Sequence, residues 1–494
     1  MRFAFCCIFF FFHHFLLAAD YNIVDFGAAA DGETLNTKSI QAAIDAAAEA
    51  GGGRAVVPRG KFLTGTVLLK SGVELHLREG AVLLGSTNPA DYTTLHNWEA
   101  LIMAESRQNI AITGTGEIDG QGRRLALNID SLFYAGQLDS ADYDVAEKRP
   151  HAFARPLIIW FFDCKNITVK NVTLKNAASW VQAHNRCENI LIDSVRTESD
   201  AYWNNDGLDI IDCRTARVLH CFSNAADDGL CLKSHSAELG CDNIHIADCT
   251  VRSSASAVKL GTQSNGGFRN VTIENIRVYD TFRSALAIEC VDGGALENVT
   301  VSNVQAVNTG NAIFIRLGER KAGSVLKNVT VKNMKVEVAF GRPDGAYEIR
   351  GPELPFFHNT FPSSITGIPG RHVENVTLEN IEIIYPGRGN NGLANMPLSR
   401  LDAVPEKAAD YPEFSMFGEL PAWGFYVRHV SGLSMKNIRL SIKAPDYRPA
   451  LVFDDVRNLH IEAMQVSGDD KPAQIVLHNT AEVSIDSERG VLKK

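Results

Sequence analysis

Apolar and polar residues alternate with a period of two in short segments that recur along the chain. Seven share one form: KNITVKNV (165–172), ENILIDSV (188–195), DNIHIADC (242–249), RNVTIENI (269–276), ENVTVSNV (297–304), KNVTVKNM (327–334) and ENVTLENI (374–381). Weaker copies are SMKNIRLS (434–441) and RNLHIEAM (457–464). Val, Ile and Thr dominate each copy, as expected of a short strand with one buried face. The first Asn recurs at Asn166, Asn189, Asn243, Asn270, Asn298 and Asn328, mostly in steps of 23 to 30 residues, the step from Asn189 to Asn243 spanning two turns. A repeat of this length without helical spacing predicts an all-β solenoid, a right-handed single-stranded parallel β-helix. Each turn then buries its inward residues against the turns above and below. The second Asn of the copies (Asn171, Asn275, Asn303, Asn333, Asn380) falls at a bend. Its amide can bond the same position on the next turn. Strand periodicity and this ladder account for the repeated Asn-Val-Thr and Asn-Ile-Thr triplets, so they are not read as glycosylation sites.

One segment has helical spacing, NTKSIQAAIDAAAEAGGG (36–53), with Ile40 and Ile44 on one face, Asn36 or Thr37 as cap and Gly51 as stop. It is placed over the open end of the solenoid, within an N-terminal cap and first coils at about residues 20–90. Residues 120–155 and 385–424 break the period and are rich in Gly, Pro and aromatics; the step from Asn328 to Asn375 also widens to 47. Such insertions in a solenoid form loops on one face, often the binding face. The first 19 residues, with one Arg, an apolar run from Phe3 to Leu17 and then Ala18-Ala19, read as a secretory signal cleaved near Ala19. Residues 20–494 then form a single domain that is secreted or periplasmic, with no membrane contact after signal removal. A capped solenoid needs no partner chain, so a monomer is expected.

Composition narrows the function. The net charge is −10 with no basic cluster, which argues against a phosphate-tracking nucleic-acid binder. Eight cysteines follow the signal, from Cys164 to Cys290, with no Cys-x-x-Cys pair, so a zinc ribbon or thioredoxin-type site is not indicated. Cys164, Cys187, Cys213 and Cys241 precede similar strand starts and should stack as buried thiols, with one or two disulfides as the alternative.

Aligning the turns gathers the acidic residues. With Gly207 as position zero, the matching residues are Trp180, Gly229, Ala257, Ala285 and Ala312. Positions one and three face in; two and four face out. The position before zero holds Asp206 and Asp228 on adjacent turns, about 4.8 Å apart, with Asp227 beside them. An Asp before a Gly is a common turn former. Three converging carboxylates raise one another's pKa, however, and such a cost is usually kept for function. Catalysis and a calcium site both remain open on spacing alone.

At these residues the chain resembles glycoside hydrolase family 28, the polygalacturonase-like enzymes. The resemblance rests on YNIVDFGAAADG (21–32), LLKSGVELHLREGAVLLGS (68–86), ITGTGEIDGQG (112–122), NNDGLDI (204–210) and DDGLCLKS (227–234). It implies an inverting hydrolase of pectic glycans on a parallel β-helix, with no cofactor and no metal. Asp227 would be the general acid, and Asp206 and Asp228 would share the attacking water. Asn204 opens the Asn-x-Asp-Gly motif and joins the substrate-binding candidates. Two departures stand out. Ala255 falls where the family's Gly-His-Gly would put its His, and Ala287 and Glu289 replace the Arg-x-Lys that binds a uronate carboxylate. Lys259, in the column of the missing Arg, is a substitute, and Lys233, Arg283, Glu289, Arg316 and His184 are further substrate-binding candidates. The late insertion also resembles that of bacterial members. Folded toward the cleft, it would close one end and favour exo action; Trp423, Phe425 and Tyr426 would then stack on sugars or lie in the core. The expected partner is a galacturonan or rhamnogalacturonan, probed as oligosaccharides. The competing readings are a polysaccharide lyase and a non-catalytic carbohydrate-binding β-helix.

Overall fold

The computed structural model describes residues 19–348, 354–468, 474–486 and 490–493. The signal-like segment lies outside the described residues. The chain winds into a right-handed parallel β-helix whose strands join in one sheet with almost wholly parallel pairing. Repeat copies stack in register. Ile110, Ile167, Ile190, Ala216, Ile244, Val271, Val299 and Val329 follow one another on successive coils, all buried. This inward column is the third position of each copy, so the period-two pattern specifies the core directly.

The bends are held by the predicted ladder. Asn303 donates to Asn275 at 3.0 Å, Asn333 to Asn303 at 3.1 Å, Asn380 to Asn333 at 2.9 Å and Asn437 to Asn380 at 2.7 Å. All of them have φ between 52° and 57°. Asn tolerates this left-handed backbone better than other residues with a Cβ. The inner bend before the outward strands uses Gly instead. A Cβ on Gly207 would lie 2.1 Å from Ser223 Oγ and 2.6 Å from Gly229 O; one on Gly229 would lie 2.3 Å from Val251 Cγ1. The Asp-Gly pairs therefore repeat because the coils approach too closely there for a side chain.

The capping helix α1 spans Thr37–Glu49 and buries Ile40, Ala43, Ile44 and Ala47 over the first coils. Asn36 does not cap it. Its amide binds Ala29 and Thr34 of the preceding loop instead. Residues 120–155, expected as loop, contain a second helix, α2 (Gly122–Tyr134), which buries Leu125, Ala126 and Ile129. The Gly and polar residues around it masked a short apolar face. All eight cysteines among the described residues are buried free thiols. Cys164, Cys187, Cys213 and Cys241 top successive coils, and the N–H groups of Cys164 and Cys187 donate to the next sulfur at 3.4 and 3.3 Å.

One outward column positions the site. Trp160, Ala183, Asp209, Cys231, Lys259, Ala287, Phe314, Ser364 and Tyr426 succeed each other along it. At its N-terminal end an aromatic cluster with Trp98, Trp160 and Trp180 covers it. At its C-terminal end the long insertion covers it, packing Leu401, Val404, Phe414, Phe417 and Leu420 on Ala287, Phe314 and Tyr426. Trp423, Phe425 and Tyr426 are all core, at most 1% exposed. Between the two covers the column turns polar.

Candidate active site

Three bends and their outward strands build the polar stretch. Asp206 precedes the strand Asp209–Ile211, Asp227 and Asp228 precede Leu230–Ser234, and Lys259 lies in Val258–Ser264. Gly207 N–H donates to Asp228 O at 2.9 Å, and Gly229 N–H to Ser256 O at 2.9 Å, which stacks Asp206 on Asp228. One carboxylate oxygen of each lies within 4.8 Å of the other. Asn205 fixes the first bend from beneath: fully buried, it accepts from Ala201 and Tyr202 N–H and donates to Ala177 and Ser179 C=O.

Two buried ammonium groups divide the carboxylates. Lys233 Nζ donates to Asp206 Oδ2 at 2.6 Å and to Asp209 Oδ1, above the ring of Trp180 at 4.4 Å. Lys259 Nζ donates to Asp228 Oδ2 at 2.9 Å and to the Tyr411 hydroxyl at 3.0 Å. Against the pull of burial, these carboxylates hold both lysines charged. Asp228 also accepts from Ser256 N–H at 3.1 Å. Burial alone would raise it, but Lys259, Arg283 and Lys233 bring it below the ordinary carboxylate range. Asp227 goes the other way. Burial and the neighbouring Asp228 charge push it up, with only Arg283 and the two lysines opposing. Burial also raises Asp206 and Asp209 against Lys233, Asp209 to about 6. Burial and neighbouring charges thus push adjacent carboxyls apart in ionisation. Asp227 is also the one of the three that is partly exposed, while Asp206 and Asp228 are each 4% exposed.

The remaining candidates fall into two groups. Arg283 joins the site through an ion pair with Glu413 at 2.8 Å. Glu289 faces the same charges, 2% exposed, with no partner for Oε2; burial raises it to about 8. Asn204, at φ 56°, accepts from Arg155 Nη2 at 2.6 Å. Two candidates lie elsewhere. His184 pairs in register with Phe161 and Ile210, on the inward column, and is fully buried; burial drops it to about 3. Ala183, not His184, stands in the column of Asp209, because Val181 rather than Trp180 matches Gly207. Arg316 gives its guanidinium to Thr366 Oγ1 and to the carbonyls of Gly367, Glu406 and Lys407, which pins the insertion. Its Nη donors are used by the fold, while Nε, buried, has no hydrogen-bond partner.

Four residues join that the pattern did not single out: Asp209, Trp180, Tyr411 and Glu413. Asp209 was readable, at outward position two of a strand already aligned. Tyr411 and Glu413 arrive from the insertion, more than 120 residues on, and no local signal marks them. Asp206 and Asp228 with Cys231 Sγ form a set of donors that could surround a cation. Lys233 and Lys259 already supply positive charge to both carboxylates, so the donor set fits a metal poorly. A cavity of about 530 Å³ is lined by Phe282 and Phe414, the chain neighbours of Arg283 and Glu413, with Arg342, Phe361 and Arg388.

The sequence model of "Glycosyl hydrolases family 28" matches residues 52–349, which include all three aspartates. The chain belongs to glycosyl hydrolases family 28. Its relatives include an "Exo-poly-alpha-D-galacturonosidase" of Dickeya chrysanthemi, 26% identical over 73% of this chain and 71% of that one. A "Probable polygalacturonase" of Vitis vinifera is 30% identical over 52% of this chain, and the match spans about half (54%) of that protein's length. A family 28 exopolygalacturonase of Yersinia enterocolitica has a similar fold, with TM-score 0.58 and 20% identity, covering 95% of this chain and 79% of that one. Among the described residues of this family 28 chain, no helix is long and apolar enough to cross a membrane.

Proposed function

We propose that this protein hydrolyses glycosidic bonds of a pectic glycan, of galacturonan or rhamnogalacturonan type, with inversion at the anomeric carbon. The observation that carries the reading is the opposed ionisation of two adjacent side chains: Asp228 is drawn below the normal carboxylate range and Asp227 is raised above it. Asp227, partly open to solvent, donates its proton to the glycosidic oxygen as the bond to C1 breaks. Asp206 and Asp228 hold a water on the other face of the ring. Its oxygen bonds to C1 and its proton passes to Asp228, the carboxylate that Lys259 keeps ionised. General acid assistance of this kind contributes roughly 10²–10⁴-fold. The names of the relatives support a pectic substrate.

The insertion supports exo action on oligosaccharides. Tyr411 and Glu413 bond Lys259 and Arg283 and so border the carboxylates on one side. An eliminating lyase would need a neutral lysine or arginine as base. Lys233 and Lys259 are both held charged by carboxylates, which disfavours that reading. Secretion is part of the proposal, on the strength of the N-terminal segment alone.

The test is incubation with a panel of pectic oligosaccharides, with products read by mass and by anomeric NMR. Single terminal units released with inverted configuration are expected, and Asp227→Asn should lower kcat by roughly 10²–10⁴-fold. An unsaturated, ultraviolet-absorbing product would overturn hydrolysis. Unchanged turnover in Asp227→Asn would remove Asp227 from its role.

A further inference from the structure

Away from the aspartates, a second column of ionisable side chains stands on the outer bends of three consecutive coils. Val373 pairs with Val430 and Val430 with Val456, so the residues before them, His372, His429 and Asp455, stack in one column. His429 and Asp455 have φ of 53° and 52°, the bend conformation that Asn fills in the ladders. Asp455 Oδ2 lies 2.7 Å from His429 Nδ1 and 3.0 Å from His372 Nε2. All three atoms fall within 4.8 Å of one another. The other ring nitrogen of His429, Nε2, lies 3.2 Å from both oxygens of Glu406. His429 is 7% exposed, whereas the side chains of His372 and Asp455 are 16% and 28% exposed. The group is thus anchored on one side and open to solvent on the other.

We propose that His372, His429 and Asp455 bind one divalent transition metal ion of the zinc type. Two imidazole nitrogens and one carboxylate oxygen suit such an ion, and the solvent-facing side leaves a fourth position for water. In a tetrahedral site with bonds of about 2.0–2.1 Å, neighbouring ligand atoms stand about 3.3 Å apart. The contacts of Asp455 with His429 and His372 therefore need to open by about 0.6 and about 0.3 Å. The metal replaces the protons now shared between the imidazoles and Asp455. Glu406 accepts the remaining His429 Nε2–H, the outer carboxylate that commonly fixes the ring of a ligating histidine. Arg428 bridges Glu406 and Asp454 at 2.8 and 3.1 Å, and His478 bonds Asp454 at 2.7 Å, so the surrounding charges are already paired.

The site ties three coils together, and through Glu406 it reaches the insertion. The carbonyls of Glu406 and Lys407 are those held by Arg316, and the same segment runs on to Tyr411 and Glu413. The metal is a clip on the segment that borders the carboxylates, not a participant in bond cleavage.

The test uses the full chain after removal of metals with a chelator. Titration with Zn²⁺ should give one ion per chain with Kd below about 10 μM, raise Tm, and, with Co²⁺, give the visible absorption of a tetrahedral centre. His429→Gln and Asp455→Asn should each weaken binding at least tenfold. Because His429 is buried, the more exposed His372→Ala serves where that variant fails to fold; it should lose the Co²⁺ spectrum and the Tm rise. His460→Ala, on an exposed neighbouring histidine, should bind as the wild type does. Zn²⁺ binding weaker than this limit, or binding that is equal in His372→Ala and wild type, would overturn the site and leave an ion-paired column.

Discussion

At the scale of single residues, Lys259 decides which carboxylate stays ionised. It is 2% exposed and lies 2.9 Å from Asp228. Lys259→Met removes the charge that keeps Asp228 ionised. Asp228 then rises, and the acid limb of kcat/KM moves to higher pH, read from a pH–rate profile. The stability effect has a definite sign. A carboxylate whose folded pKa is depressed contributes stability above its unfolded value and loses it as pH falls through the folded one. In Lys259→Met that contribution disappears at neutral pH, and breaking a buried pair costs about 3–5 kcal/mol, measured by denaturant unfolding at pH 7. Legibility at this scale is uneven. The position of Asp206, Asp227 and Asp228 follows from strand register, which the period-two pattern supplies. The split between them does not. It depends on burial and on how closely Lys259, Arg283 and Lys233 approach each carboxylate, which alternation does not encode. His184 shows the converse: one residue of misregister turned an inward imidazole into an apparent cleft residue.

At the scale of elements, the bends carry two distinct constraints. In the exposed ladder, Asn303 both donates to Asn275 and accepts from Asn333 at φ 57°. Asn303→Ala loses the bonds and strains the backbone; Asn303→Gly loses only the bonds. Urea melts should place Ala below Gly by about 1 kcal/mol, with Gly itself about 1 kcal/mol below wild type. At the inner bend the constraint is volume. Gly229→Ala drives a methyl toward Val251 and the Ala257 carbonyl, 2.3 and 2.7 Å away, and should destabilise by about 1–3 kcal/mol. It should also lower kcat, since Asp228 precedes it. The ladder was legible because Asn recurs at fixed phase. The helix α2 was not, because its apolar face is only Leu125, Ala126 and Ile129 between glycines and polar residues.

At the scale of the whole molecule, each coil is stabilised chiefly by its two neighbours, so the ends matter out of proportion to their size. α1 covers the first coils with Ile40 and Ile44. Ile44→Asp should uncover the end of the stack and produce higher oligomers on size-exclusion chromatography, together with a lower Tm. The parallel winding was legible from the repeat alone. How the insertion lies on the coil was not, because it is set by an apolar contact surface, Phe414 and Phe417 against Phe314 and Tyr426, between segments far apart in the chain.

The column of thiols has a practical consequence. With Cys164, Cys187, Cys213 and Cys241 reduced and buried inside the winding, their stack needs no oxidant to form, and dithiothreitol should leave the melting curve where it was. An alkylating reagent cannot reach Cys164, Cys187, Cys213 or Cys241 until the rung that shelters each one parts. The order in which mass spectrometry finds them labelled would therefore report, rung by rung, where the spiral first comes undone.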